Sequence, residues 1–359
     1  MGSGDSRGAS SYLGVVDWLK FAGIALIVQG HVAAPLTEWL TPPIYDKQLG
    51  VAFFVFAMGV LLARERRPTG WVLGSRLFEV YVYGLAFAVL MSGVGWVSRG
   101  DLAESNYLPF AGGINVLFDF FPANPSTWFL GTYLHMLLLW VALRRVRNWQ
   151  PVLGFTLAIE VAVRAWVFGH VGGFVAYMLL TNWAGVFVAG LWAGPRVTRA
   201  APRPPSVGRC ATWLAALAAW VVVLGAVTRP LVAQATFPFM WLGGRPGAQS
   251  ALLTSVAVTL WYSGTTWLAA AALRHVAVPP SVQLVARNTL FIFIAHMPVY
   301  YALQPLLARL GVPVGASWAI LFAACLVGLA AIGEGVRRWL PMDGIKRRAL
   351  ARWEERAGG

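Results

Sequence analysis

A chain of 359 residues that is 58% hydrophobic and only 12% charged has too little polar surface to coat a soluble globule of that size. Its net charge of +14 would point to nucleic acid in a soluble protein. Here the charge falls in short segments between apolar runs, which excludes that partner. The two cysteines, Cys210 and Cys325, make neither a disulfide framework nor a metal-ligand spacing, so free thiols and no metal site are expected.

The apolar runs are about 20 residues long, the length that crosses a bilayer as a helix. About ten can be drawn, at 14–34, 48–63, 73–97, 127–143, 151–169, 172–193, 211–228, 250–273, 288–308 and 316–336. The expected fold is all-α, a polytopic transmembrane helix bundle. Residues 1–340 form the membrane domain and 341–359 a short basic cytoplasmic tail.

The first run, from Val16 to Val32, carries two basic side chains, Lys20 and His31. Eleven residues are close to three helical turns, so the pair shares one face, about 16 Å apart along the axis. An ionisable group inside a membrane is costly and marks a site by default. Snorkelling of Lys20 and an interfacial, wet His31 are the plainer alternatives. The second run ends in Arg64-Glu65-Arg66-Arg67, a candidate anion site or a simple cytoplasmic anchor. Arg76 and Glu79 follow at the start of the third run, spaced to pair on one helix face.

The segment 98–126 is the longest outer loop and reads as an acceptor site, a lid or an interfacial helix. His135 in the fourth run reads as structural. Glu160 and Arg164 in the fifth have the i,i+4 spacing of an intrahelical ion pair, structural or functional. The Pro- and Arg-rich stretch Gly194 to Arg209 reads as a cytoplasmic loop. The outer loop from Thr228 to Gly247 could help line an external cleft. In the ninth run His296 precedes Met297 and Pro298, so a kink and a freed carbonyl are expected nearby.

Assigning Lys and Arg to alternate sides gives a clear asymmetry. One side collects Arg7, Arg64, Arg66, Arg67, Arg76, Arg144, Arg145, Arg147, Arg196, Arg199, Arg203, Arg209, Arg274, Arg287 and the basic residues from Arg337 to Arg356. The other holds only Lys47, Arg99, Arg229, Arg245 and Arg309. By the positive-inside rule both termini are cytoplasmic, Lys20 lies toward the cytoplasm and His31 toward the outside. The lipid surface is a sufficient partner for the basic loops.

Several motifs resemble the type-3 acyltransferase family, polytopic membrane enzymes that acylate hydroxyls of sugars and cell-envelope glycans. Lys20 and His31, ten residues between them, resemble its first-span signature of a basic residue, ten residues and His; Asp17 resembles its acidic lead. The stretch from Gly50 is similar to its Phe-rich second span, with Ala57-Met58-Gly59 in place of the usual Ser-Gly pair. Ser126 to Leu130 is similar to its Trp-containing entry to a middle span. The stretch from Ala286 through Asn288 to His296 and Pro298 is similar to its late motif. One feature departs: the family's Arg-x-x-Arg at the third span is matched by Arg76-Leu77-Phe78-Glu79, and Arg64 with Arg67 has that spacing earlier in the chain.

The resemblance implies an O-acyltransferase of the bacterial plasma membrane. It would move an acyl group, acetyl by expectation, from cytoplasmic acyl-CoA to a sugar or glycolipid hydroxyl at the outer side, with no permanently bound cofactor. Lys20, Arg76, Arg64 and Arg67 would bind the phosphates of CoA. His31 would be the general base or the acyl-accepting nucleophile. Asp17, Glu38 and His296 would orient these groups or contact the acceptor. The competing reading is a secondary transporter or channel for an anion or small solute, with Lys20, His31, Glu160 and Arg164 lining its path.

Overall fold

The computed structural model describes residues 14–32, 46–99, 128–199, 206–231, 247–340 and 342–357. Glu38, residues 100–126 of the long outer loop, residues 232–246 of the loop after Thr228, and residues 200–205 of the Pro- and Arg-rich stretch lie outside the described residues. So does the Glu79 side chain of the Arg76–Glu79 pairing.

All the described elements are helical. In chain order they are α1 (Gly14–Val32), α2 (Asp46–Leu62), α3 (Thr69–Arg99), α4 (Trp128–Leu143), α5 (Trp149–His170), α6 (Gly173–Met178), α7 (Ala184–Arg199) and α8 (Val207–Leu231). Then come α9 (Ala248–Leu273), α10 (Pro280–Arg287), α11 (Thr289–Arg309), α12 (Val314–Ala323), α13 (Leu329–Trp339) and α14 (Met342–Ala357). Six segments among the described residues are long and apolar enough to cross a membrane: α1, α5, residues 207–224 of α8, α9, α11, and the stretch Val314–Trp339. The apolar helices Lys47–Leu62 and Trp128–Leu143 are shorter.

Two differences from the sequence reading have local causes. The expected run 172–193 is not one helix: α6 and a 3-10 turn at Leu180–Asn182 precede α7. Gly172 stands at φ 148°, a conformation that side chains resist, and Leu179 is extended. The stretch from Gly194 is not loop at its start, because α7 runs on through Pro195 to Arg199.

The described chain forms two compact units. The first takes its residues from Met1–Arg64 and Val146–Arg287, the second from Glu65–Arg145 and Asn288–Gly359.

In the first unit α1 and α2 pack antiparallel through a glycine crossing. A Cβ on Gly50 would sit 2.4 Å from Gly23 O, and one on Gly23 would sit 2.8 Å from Gly50 O. Backbone thus touches backbone, the close approach that small residues permit between membrane helices. A second crossing joins α2 to α7, where a Cβ on Gly59 would lie 2.4 Å from Phe187 O and one on Gly190 2.4 Å from Phe56 O. Helix α8 pairs with α9 and leaves Val222, Val223 and Val227 exposed. An apolar face of this kind suits hydrocarbon and would be a liability in water.

In the second unit α11 packs against α3 and α13. Its core includes Val80 and Leu130, with Tyr81, Tyr133 and Leu290 packed on them. Phe129 meets Phe293 edge-on at 5.5 Å between ring centroids. Between α12 and α13 the helix widens into a π segment at Ala324–Gly328. Helix α14 rests on α3, with Met342 and Leu350 buried and Leu350 seated against Gly74.

Candidate active site

Helix α1 presents the first candidate group. Asp17 stands in its first turn, where a carboxylate favours the helix dipole, and His31 in its last turn. At about 100° per residue, Lys20 and His31 differ by only about 20° around the axis, and Asp17 lies about 60° from Lys20. All three are half-buried. They form a strip beside the Gly23 face that packs on α2.

The Asp17 end of this strip is held by the chain leading into α10. Trp18 Nε1 donates to Ala277 O at 3.3 Å, and a Cβ on Gly14 would meet Val278 Cγ2 at 3.0 Å. Helix α10 then packs along α1, burying Val282, Val285 and Ala286. Arg287, in its last turn, is exposed. The charges of both Lys20 and Arg287 act on the Asp17 carboxylate. Sequence reading had counted Arg287 as an inner-loop charge within the late motif, without a role at the site.

Arg64, exposed in the turn after α2, belongs to the same unit as α1. Arg67 and Arg76 belong to the second unit. There Arg67 forms a two-pronged pair with Glu65: Nε donates to Oε1 at 2.6 Å and Nη2 to Oε2. Its guanidinium also lies 3.7 Å over the Trp71 ring. The Arg67 hydrogen bond holds the Glu65 carboxyl below the usual carboxylate range, against the opposing effect of burial, and Arg76 adds a weaker pull. The same hydrogen bond raises Arg67. Glu65 thus offsets one of the positive charges in this loop. Arg144, at the end of α4, donates to Thr69 Oγ1 and, at 3.3 Å, to Arg67 O, tying the loop to α3.

His296 is fully buried in α11. Its Nδ1–H is shared between Ile292 O at 3.1 Å and Phe293 O at 2.8 Å, which leaves Nε2 as the acceptor nitrogen. Cys325 Sγ, in the π segment, donates to His296 O at 3.6 Å. Pro298 has no N–H to give to the turn before it, yet α11 continues through it to Arg309.

Glu160 and Arg164 do form the expected i,i+4 ion pair, and both are buried. All five guanidinium N–H groups find acceptors. Nε donates to Asn182 Oδ1 at 2.7 Å. Nη1 donates to Ser255 O and Thr259 Oγ1, each at 2.7 Å. Nη2 donates to Glu160 Oε1 and, at 3.0 Å, to Asn182 O. Glu160 also accepts from Thr259 Oγ1 at 2.7 Å and from Gly185 N at 2.6 Å. The pair pins α5, α7, α9 and the 3-10 turn together, which is a structural role. Asn182, Ser255 and Thr259 escaped the sequence reading; the hydroxyl-rich run of α9 was the available signal.

A family model described as an acyltransferase domain, that of the acyltransferase 3 family, matches residues 13–333. No curated protein and no solved structure matches the chain. The match begins just before α1, takes in the Lys20–His31 strip and the late motif around Asn288 and His296, and ends in α13. Its extent, most of the chain and both compact units, places this protein in the acyltransferase 3 family, among multi-pass membrane acyltransferases.

Proposed function

We propose that the protein is an O-acyltransferase of the bacterial inner membrane that takes an acyl group, acetyl by preference, from cytoplasmic acyl-CoA. The acceptor is a hydroxyl of a sugar or envelope glycan at the outer side. About ten spans with both termini in the cytoplasm suit this reading, since they put the Lys20 end of α1 inside and the His31 end outside. The observation that carries it is the strip on α1: a cation and an imidazole on one helix face, three turns apart, in a chain of acyltransferase family.

CoA is a polyanion and stays on the cytoplasmic side. Lys20 and Arg64 are the cations of the first unit for its phosphates; in the second unit the candidates are Arg76, and Arg67 on exchanging Glu65 for a phosphate. The thioester then lies toward His31. Neutral His31 takes the proton of the acceptor hydroxyl as its oxygen attacks the thioester carbonyl. Collapse of the tetrahedral adduct expels the CoA thiolate, which takes up that proton. The imidazole is thereby returned and an ester formed. Asp17 steadies the charge of Lys20, Glu38 serves the acceptor side, and His296 is an orienting group on its own unit.

The test uses purified protein in nanodiscs with acetyl-CoA labelled in the acetyl group, and follows label transfer and thioester hydrolysis. His31→Ala is expected to lower kcat by roughly 10²–10⁴-fold. Lys20→Ala is expected to raise the donor KM with a smaller effect on kcat. A wild type that neither binds nor turns over acyl-CoA, while proteoliposomes carry solute flux, would replace the enzyme with a transporter.

A further inference from the structure

The first unit brings a third charged side chain to the Lys20 end of α1. The Ala277–Arg287 segment is anchored there by the Trp18 indole and by Val278 against Gly14. Its short helix packs along α1 on Val282, Val285 and Ala286. That packing carries Arg287, an exposed residue, near enough for its charge to act on Asp17, as the charge of Lys20 also does. Two cations therefore act on one carboxylate. With all three ionised, the group keeps a surplus positive charge at the mouth of the strip that leads to His31.

We propose that Arg287 is a donor-binding residue that acts with Lys20 to seat a phosphate of the acyl-CoA carrier at the base of α1. This rests on the acyl-CoA reading given above. The chemistry favours the assignment. Lys20 is a point charge on a flexible stem, whereas arginine offers a planar fork matched to two phosphate oxygens. A phosphate also competes well for both cations, because it carries more charge and more acceptor oxygens than the single Asp17 carboxylate. The anchoring of α10 on α1 fixes the backbone from which both cations reach, which lowers the ordering left for the ligand to impose.

The experiment measures equilibrium binding and steady-state kinetics of the full-length protein in nanodiscs. Its probes are acetyl-CoA and acetyl-pantetheine, which lacks the phosphates. Its variants are Arg287→Ala and Arg287→Lys. Arg287→Ala should weaken acetyl-CoA binding by about tenfold or more, as expected for a charge-assisted contact, and leave kcat at saturation within about twofold. Acetyl-pantetheine binding should not change, and Arg287→Lys, which keeps the charge but loses the fork, should recover only part of the lost affinity. Unchanged acetyl-CoA affinity in Arg287→Ala would overturn the assignment and leave the acyltransferase reading standing. Equal loss for both probes would show a packing role and overturn it too. A wild type that binds neither probe would remove the acyl-CoA reading itself.

Discussion

Arg164 has an acceptor for each of its N–H groups, and Glu160 has a donor on each oxygen. Removing one member leaves the other charge buried without its counter-ion, a change that typically costs about 3–5 kcal/mol. Arg164→Ala is therefore expected to lower the thermal unfolding midpoint sharply. Arg164→Lys, with one charge but three donors in place of five, should fall between. Midpoints and donor KM measured on the same preparations separate the roles. Loss of stability with donor KM unchanged fits a pin, and intact stability with loss of turnover would place Arg164 in the reaction. The Glu65–Arg67 pair carries a pH dependence of known sign. Glu65 is lowered in the folded protein, so its contribution is present above the unfolded value of about 4.3 and is lost as pH falls through the lower folded value. Titration of the Trp71 fluorescence, with Trp71→Phe subtracted, should show the Arg67 contact released only below about pH 4; release near neutrality would contradict this assignment.

At the scale of elements, the α1–α2 crossing is the joint on which the strip depends. Gly50→Ala would push a methyl to 2.4 Å from Gly23 O, against backbone that cannot turn aside. It is expected to cost about 1–3 kcal/mol and to reduce turnover through displacement of Lys20 and His31 together. Gly154 on α5 is the control, since a Cβ there meets nothing within 4 Å, and Gly154→Ala should be neutral or gain up to about 1 kcal/mol. Equal effects of the two on melting and turnover would show that the crossing is not what holds α1.

Several elements were legible from apolar length alone, because a bilayer leaves helices little choice. The expected runs at 14–34, 127–143, 250–273 and 288–308 correspond to Gly14–Val32, Trp128–Leu143, Ala248–Leu273 and Thr289–Arg309. The break at Leu180–Asn182 was not legible. It turns the Asn182 side chain and carbonyl to Arg164, a partner far off in sequence that no local pattern announces. Within the candidate site, the shared face of Lys20 and His31 could be read because both lie on one helix with a known period. The approach of Arg287 to Asp17 could not, since it depends on how the Ala277–Arg287 segment folds back on α1.

At the scale of the whole molecule, the family match runs through both compact units, while the candidate cations divide between them. Lys20, Arg64 and Arg287 belong to the first, Arg67 and Arg76 to the second. Each unit is interrupted in sequence by the other, so neither can be cut out as one continuous piece of chain. The strip on α1 has a further consequence, as a gauge. A helix sets a length as firmly as it sets a face, and here that length is about 16 Å between Lys20 and His31. A donor held by its charge at one end and reacting at the other must carry its acyl group on an arm of comparable reach. Acyl phosphates and acyl adenylates, whose charge sits beside the acyl carbon, are too short to satisfy both ends at once. Under the proposed roles of Lys20 and His31, that spacing would favour carriers that separate their charge from their cargo.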